Sequence, residues 1–224
     1  MDADTKTTAI PVLGFATLSR FDLAQRLLDS IDYPIEDLVI VDNSGKREFE
    51  PVIETDLVKN TWVIQVPYGL GANGAWNLII KSTPHAPYWV IPNDDSYFAP
   101  GALATIAAEV DTTAFNFLDI NPKWSCVIPG EGAVLQAGLW DEVYHPIYYD
   151  DDDYEWRMEK LGVRFNTIPA KVYHDNSSTL RSGFSERNNV TFQRNRSVFT
   201  NKKVSENTGI LGWSLKVRRE NRWD

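Results

Sequence analysis

The chain has 224 residues, of which 43% are hydrophobic, and a formal net charge of -9. These values exclude a disordered protein and fit one domain with a single sizeable core, while the lone cysteine, Cys126, excludes an internal disulfide. No apolar run approaches the roughly 20 residues that span a bilayer, and residues 1–8 lack the pattern of a secretory signal, so we expect a cytoplasmic protein.

Short apolar runs alternate with helical patterns from the N-terminus onward. Residues 10–16 and 38–41 have the composition of strands, and residues 21–31 between them repeat their apolar side chains every four residues, as a helix does. Residues 19–22 fit a capping box at the start of that helix. This alternation predicts βαβ units and therefore an α/β fold with a mostly parallel central sheet.

A glycine-rich segment at residues 69–77 separates a strand predicted at residues 62–66 from a helical stretch at residues 77–81. In such a turn the backbone can approach a phosphate or a sugar closely, and a helix N-terminus offers free N–H groups to an anion. Asp42 ends the second strand, where its carboxylate could accept a hydrogen bond from a base or a ribose, or could shape an Asx-turn.

Two clusters of acidic residues, about 55 positions apart, are the strongest functional signal. Residues 93–95 follow a strand predicted at residues 88–91, and open α/β sheets bind ligands at the carboxyl ends of their strands. Residues 150–153 are four consecutive aspartates at the start of a predicted helix. A solvated helix N-terminus is the alternative explanation there, because the helix dipole favours acidic residues in the first turn.

The first cluster and His174, which follows another short strand, predict a divalent metal site. Hard cations prefer oxygen ligands, and Mn²⁺ also accepts an imidazole. A site of Asp94, Asp95 and His174 would therefore hold Mn²⁺ or Mg²⁺, with Mn²⁺ favoured. A helix is also expected near Pro100, and further strands are predicted at residues 114–118, 125–128, 164–168 and 171–173.

The basic residues are concentrated at the C-terminal end of the chain. Residues 176–224 contain ten Lys and Arg against four Asp and Glu, a net of +6, which leaves -15 on residues 1–175. We therefore expect a domain over residues 1–175 and a basic C-terminal extension over residues 176–224. The extension could face a phosphate, an anionic membrane or the acidic surface of a second copy in a homo-oligomer, or it could be a helix docked on the acidic domain.

These motifs, in this order, resemble those of inverting glycosyltransferases with the GT-A fold, within the large family 2 type that includes rhamnosyl- and galactofuranosyltransferases. The resemblance covers roughly residues 9–175. Residues 17–20 resemble the family's threonine-x-asparagine-arginine turn, with Ser19 in place of the asparagine. Residues 42–44 resemble its nucleoside-binding aspartate segment, and residues 71–77 resemble the glycine- and asparagine-bearing turn that follows.

The second half of the domain resembles the same family. Residues 93–95 occupy the position of its aspartate-x-aspartate metal motif, and Asn93 in place of the first aspartate moves the metal contact to Asp95 and Asp94. The remaining matches are residues 138–142 with the family's glycine-x-phenylalanine-aspartate-glutamate segment, residues 150–157 with its acidic element ending in arginine, and residues 172–174 with the strand whose histidine completes the metal site in some members.

The resemblance implies a Rossmann-like GT-A sheet flanked by helices, with a nucleotide-sugar-binding half at residues 1–100, an acceptor and catalytic half at residues 101–175, and a small C-terminal helical extension. It implies a metal-dependent, inverting transfer of a sugar from a nucleoside-diphosphate sugar to an acceptor hydroxyl. A uridine or thymidine donor is expected because Asp42 could accept the pyrimidine N3–H. The residues implied to bind the donor are Thr17, Arg20, Asp42, Asn43, Gly71, Gly74, Asn77, Asn93 and Asp94.

The resemblance also implies the catalytic roles. Asp151 matches the general base, and we expect it to be buried and crowded by neighbouring carboxylates that raise its proton affinity. Asp150 or Asp153 could bind acceptor hydroxyls, and Arg157 could hold the acidic segment in place by ion pairing.

The acceptor and two other functions stay open. A glycan, a lipid-linked or a protein acceptor is expected ahead of a nucleic acid, which the acidic domain would repel. A nucleotidyltransferase would need a basic, glycine-rich loop, whereas residues 13–20 have one glycine and one arginine. A non-catalytic carbohydrate- or nucleotide-binding module is the other alternative, and Asn93 is its main support.

Overall fold

The computed structural model describes residues 9–120, 122–175, 185–209 and 213–220, excluding the side chains of residues 185–188. Residues 1–8, from which we expected no secretory signal, and parts of the basic extension lie outside the described residues. The strands are β1 Ile10–Thr17, β2 Ile35–Asp42, β3 Val58–Gln65, β4 Ile91–Pro92, β5 Ser96–Phe98, β6 Phe115–Leu118, β7 Cys126–Pro129, β8 Phe165–Ile168 and β9 Val172–His174. The helices are α1 Phe21–Asp29, α2 Gly71–Ser82, α3 Ala102–Glu109, α4 Glu131–Ala137, α5 Asp150–Lys160, α6 Ser185–Val204 and α7 Leu215–Glu220.

Strands β1, β2 and β3 form a parallel sheet in which Thr17, Asp42 and Gln65 lie in register at the carboxyl ends. Val90 joins this sheet to β4, because its N–H donates to Val12 and its carbonyl accepts from Gly14, both at 2.9 Å. Beyond β4 the order is β7, β6 and β8, with β7 antiparallel to its neighbours and β8 parallel to β6. The predicted α/β fold with a mostly parallel central sheet is confirmed.

Helices cover both faces of this sheet. The four central residues of β2 alternate between two cores, so that Leu38 and Ile40 pack with α1 and α3, whereas Val39 and Val41 pack with α2, α4 and α5. A strand buried on both faces needs a continuous apolar run, because successive side chains point in opposite directions. The apolar runs of the sequence therefore predicted this arrangement correctly.

Three local predictions differ from the structure. The capping box is wrong, because no side chain caps α1 and Arg20 forms an ion pair with Asp22 at 2.7 Å instead. Most of the glycine-rich segment is the start of α2 and not a turn, since Asn73 and Asn77 bond to residues 140–142 and these tertiary contacts override weak helix propensity. Strand β5 and helix α4 were not predicted.

The described part of the C-terminal extension docks on the domain. Helix α6 has 20 residues, and Arg194 near its middle donates to the carbonyls of Val143 and His145. Leu215 of α7 is buried in the domain core, and Arg219 donates to the carbonyls of Pro84 and Ala86. Among the described residues, no helix combines the length and the apolar composition needed to cross a membrane.

Candidate active site

The predicted motif segments meet at the carboxyl edge of the sheet, where one contacts the next. The N–H of Asn43 donates to the carbonyl of Thr17 at 2.8 Å, and the side-chain oxygen of Asn43 accepts from the N–H of Leu70 at 2.6 Å. The N–H of Ala72 in turn donates to the carbonyl of Pro146 at 3.0 Å. The loops that follow β1, β2 and β3 and the loop that precedes α5 therefore form one continuous rim.

Asp95 and His174 lie together at this edge because β5 and β9 pair antiparallel, with Ser96 opposite His174. Both side chains are largely buried, and Oδ1 of Asp95 is 2.9 Å from Nε2 of His174. The side-chain nitrogen of Asn93 is 3.4 Å from the same ring nitrogen. Two ligand atoms about 2.1 Å from one ion and at a right angle to each other are about 3 Å apart, so this pair has a spacing suited to two metal ligands.

Asp94, the third predicted ligand, does not join this pair. Its carboxylate lies against the hydroxyl of Thr17 and the backbone of Leu18, and Arg20 is close enough to attract it. Burial raises the pKa of Asp94 to about 6, and the charge of Asp95 adds to the shift, while the Thr17 hydroxyl and the backbone of Leu18 and Asp94 oppose it. No group of three or more His, Cys, Asp or Glu side chains in the described parts of the chain has metal-binding geometry. The structure thus brings together two of the three predicted ligands.

The buried carboxylate of Asp42 shapes the loop after β2. It accepts hydrogen bonds from the N–H groups of Ser44 at 3.1 Å and Phe49 at 3.3 Å. The Asx-turn alternative therefore describes the local geometry of Asp42.

The polar atoms of three predicted donor-binding residues are used within the protein. Asn43 bonds to the backbone of the glycine-rich segment, where its amide donates to Gly71 at 3.2 Å. Asn77 is fully buried and donates to the carbonyl of Trp140 and to Glu142, both at 2.9 Å. Gly71 has φ of +74°, and a Cβ there would lie 2.7 Å from the carbonyl oxygen of Pro146. These residues fix the positions of neighbouring segments.

Ala72 and Gly74, in the first half of α2, both lie against neighbouring parts of the protein. The N–H of Ala72, in the first turn of α2, is bonded to the carbonyl of Pro146, so this particular N–H is not free to bind an anion. Gly74 lies in the buried part of α2, where a Cβ would be 3.0 Å from the Cβ of Leu70.

The four aspartates of the second cluster have four different surroundings. Asp153 is fully buried and lies 2.8 Å from Nζ of Lys202. Asp150 is also buried, and burial together with the charges of Asp151 and Asp152 raises its pKa to about 7. Asp152 is exposed and Asp151 is partly exposed. The expectation of a buried Asp151 is therefore wrong, because the first turn of α5 directs Asp150 and not Asp151 into the protein.

Arg157 connects the acidic cluster to residues 138–142. It is fully buried and donates to the carbonyls of Ala137 at 2.6 Å and Leu139 at 2.8 Å. Its guanidinium is 3.6 Å from the carboxylate of Asp153, one turn earlier on α5. Arg157 therefore holds the acidic segment through an ion pair and has no access to a substrate.

Helix α6 contributes residues for which no role was predicted. Asn195 is fully buried, and its amide donates to the carbonyls of Tyr144, Ile147 and Tyr148 at 2.8, 2.9 and 3.0 Å. This loop leads into α5 through Tyr148 and Tyr149, whose φ angles of 78° and 66° lie in the left-handed region. Such backbone costs energy and persists only where neighbouring contacts impose it, and Asn195 supplies such contacts.

Lys202, two turns further along α6, lies between two acidic segments. Its Nζ is 2.8 Å from Asp141 and 2.8 Å from Asp153, and its side chain is only 9% exposed. The sequence signal for these contacts is a polar stripe of Thr191, Asn195 and Lys202 at helical spacing.

A short turn of 3₁₀-helix, Lys123–Ser125, connects the two acidic clusters. The carbonyl of Ser125 accepts from the N–H of Asn93 at 2.8 Å and from the hydroxyl of Ser96 at 3.1 Å. At the other end of this turn, Lys123 and Trp124 bond to Glu155 at 2.5 and 3.4 Å, and Glu155 lies one helical turn after Asp151. The pair of Asp95 and His174 and the helix that carries Asp151 thus flank the same turn.

Comparison with known proteins adds two findings, and no family model matches the chain. A galactofuranosyl glycosyltransferase of Leishmania donovani is 39% identical over 62 residues, which are 27% of this chain and 14% of that protein. TarS of S. aureus superposes with a TM-score of 0.56 at 14% identity, over 74% of this chain and 36% of TarS. TarS 1-349 in complex with UDP superposes with a TM-score of 0.52 at 13% identity, over 72% of this chain and 58% of that chain.

The chain therefore spans less than two thirds of each of these proteins. The structural likeness at this low identity establishes the fold, which this chain shares with TarS.

Proposed function

We propose that this chain is a glycosyltransferase domain that moves a sugar from a nucleoside-diphosphate sugar to an acceptor hydroxyl, with inversion at the anomeric carbon. The observation that carries the proposal is that the pair of Asp95 and His174 and the helix of Asp151 flank one turn at the carboxyl edge of the sheet. The fold shared with TarS, one structure of which contains UDP, and the name of the Leishmania relative support the same class of protein.

The nucleoside would lie along the rim formed after β1 and β2. Thr17, Asp42 and Asp94 line this part of the edge, and Arg20 provides a positive charge beside Asp94. The UDP in the TarS complex supports a uridine donor, and thymidine has the same N3–H. Asn43, Gly71, Gly74 and Asn77 would act by positioning the rim.

Asp95 and His174 would hold the cation, with the amide of Asn93 beside the imidazole to orient it. A carboxylate with an imidazole fits Mn²⁺ better than Mg²⁺, because Mg²⁺ prefers oxygen ligands only. When bound, a divalent cation supplies positive charge to the departing diphosphate.

Asp151 would take the proton of the acceptor hydroxyl, a contribution of about 10²- to 10⁴-fold. It is suited to this role because it is partly exposed at the start of α5, while Asp153 is held by Lys202 and Asp150 is buried. With a pKa of about 7, Asp150 is partly protonated at neutral pH, which limits the negative charge beside Asp151. Attack from the face opposite the diphosphate inverts the anomeric configuration.

The first test is a screen of uridine and thymidine diphosphate sugars for release of the nucleoside diphosphate, with and without Mn²⁺. We expect Asp151→Asn to abolish transfer while donor binding survives, and Glu109→Gln, an exposed carboxylate on α3, to leave the rate unchanged. Near-normal turnover of Asp151→Asn would reject the base. Release of pyrophosphate from a nucleoside triphosphate and a sugar phosphate would instead identify a nucleotidyltransferase, and no release from any donor would favour a non-catalytic module.

The second test addresses the cation. We expect Asp95→Ala to lose the Mn²⁺-dependent part of UDP binding in calorimetry, because Asp95 supplies the carboxylate beside His174. An unchanged affinity for UDP with Mn²⁺ would remove Asp95 from the metal site.

A further inference from the structure

A groove of about 300 Å³ lies between α5 and α6, next to the acidic turn. The proposed function does not use it. Its walls are built from both the domain and the C-terminal extension, and the residues that line it are Asp152, Glu155, Trp156, Glu159, Phe199 and Lys203.

The groove runs along the helix that carries the proposed base. Asp152, Glu155 and Glu159 are three and four residues apart on α5 and therefore lie on one face of the helix. Asp151 precedes Asp152 and lies one helical turn before Glu155, so it is adjacent to the N-terminal end of the groove. A molecule bound in the groove would have one end beside Asp151.

Phe199 is the aromatic residue of the groove that could contact a sugar ring, because it is partly exposed whereas Trp156 is buried. Trp156 from α5 and Phe199 from α6 meet edge to face, with ring centroids 6.3 Å apart and planes at 85°. Aromatic rings bury the apolar C–H face of a sugar, and carboxylates accept hydrogen bonds from its hydroxyls. The volume is at the lower end of the roughly 300 to 1,000 Å³ of small-molecule sites, which suits a single sugar residue.

The charges of the groove favour an uncharged sugar over a phosphorylated one. Three carboxylates line it, against the single ammonium of Lys203, while Lys123 outside it pairs with Glu155 at 2.5 Å. The remaining negative charge would repel a phosphate group on the ligand.

We propose that this groove binds an uncharged sugar residue of a glycan acceptor and presents one of its hydroxyls to Asp151. The proposal rests on the proposed function, because it identifies the acceptor class of that reaction. It also gives the C-terminal extension a direct part in substrate recognition, since α6 supplies Phe199 and Lys203.

The test compares binding of neutral methyl hexosides and of the corresponding hexose phosphates, by ligand-observed NMR in the absence of a donor. We expect the methyl hexosides to bind and the phosphates not to bind. Phe199→Ala and Glu159→Gln should each weaken hexoside binding by about tenfold and raise the acceptor KM equally, without changing hydrolysis of the donor by water. Glu159 is exposed, so its variant should fold even if Phe199→Ala does not, and Glu109→Gln is the matched control.

Hexoside binding that is the same in Glu159→Gln and in Glu109→Gln would overturn the proposal, as would absence of hexoside binding to the wild-type chain or preferential binding of the phosphates. If hexosides bind in the groove but no nucleoside diphosphate is released from any donor, the proposed function fails instead. The two failures are therefore distinguishable.

Discussion

The two acidic clusters look alike in the sequence, but the protein neutralises them differently. At residues 93–95, Asp95 faces the imidazole of His174 and Asp94 faces a hydroxyl. At residues 150–153, Asp153 faces Lys202 and the cluster is anchored inside the protein. Under the proposed function the first cluster would supply ligands for a cation, whereas the second already contacts Lys202 of α6.

This difference shows that identical residues in one turn of a helix can have different structural roles. Successive side chains of a helix point about 100° apart, so neighbouring aspartates of α5 meet different surroundings. One anchors the helix, one is buried beside it, and two face outward. The first two of the following predictions change the second cluster, and the third changes a residue outside both clusters.

The largest effect is expected for Lys202→Met. This substitution removes the cation that lies between Asp141 and Asp153 and leaves a buried carboxylate with only Arg157 and Tyr144. Breaking a buried pair from one side typically costs about 3 to 5 kcal/mol, so we expect a loss of this order in the free energy of unfolding, measured in urea.

Two further substitutions control this prediction. Lys202→Arg keeps the charge and should recover much of the stability, whereas Lys216→Met, on the exposed face of α7, should change it little. Equal stabilities of the Lys202→Met and Lys216→Met proteins would show that α6 does not neutralise the second cluster.

A smaller effect is expected from Asp150→Asn. The pKa of Asp150 is about 7 in the folded protein and about 3.9 in an unfolded chain, so the folded state holds the proton more tightly. Stability should therefore fall as the pH rises from about 4 to about 7, by up to about 4 kcal/mol from this group. The Asn variant should be less sensitive to pH between 4 and 7 in urea unfolding, and a slope equal to that of Glu109→Gln would contradict the burial of a charge at Asp150.

The smallest effect is expected for Ser19→Ala, outside both clusters. A capping serine is worth about 1 kcal/mol, but α1 has no side-chain cap in the structure. We therefore expect a change within about 0.5 kcal/mol in the free energy of unfolding. A decrease of about 1 kcal/mol in the free energy of unfolding would instead show that Ser19 caps α1, as the sequence predicted.

The sequence predicted what depends on local pattern. The apolar runs of β1 and β2 and the acidic start of α5 predicted two strands and a helix, and the structure has all three. Strand β5 was not predicted, because its three residues have no strand pattern of their own and form a strand by pairing with β9.

The sequence also named the acidic clusters but not the surroundings of each carboxylate. The burial of Asp150 and Asp153 depends on where α6 docks, and the inward face of α6 is polar, so that it looks like a solvent-facing helix. Asn195 and Lys202 could be recognised as buried only once their partners, which lie about 50 residues or more earlier in the chain, had been located.

The central claim is that the proposed cation site of Asp95 and His174 and the helix of Asp151 flank one site at the carboxyl edge of the sheet. NMR of the ¹⁵N-labelled chain with UDP and substoichiometric Mn²⁺ tests it directly, because the paramagnetic ion broadens nearby amide signals. We expect broadening at Asp95, His174 and Asp151, sharp signals at Ile35 and Phe165 on the opposite edge of the sheet, and loss of the effect in Asp95→Ala. Broadening at Asp95 and His174 with an unaffected Asp151 would contradict the claim.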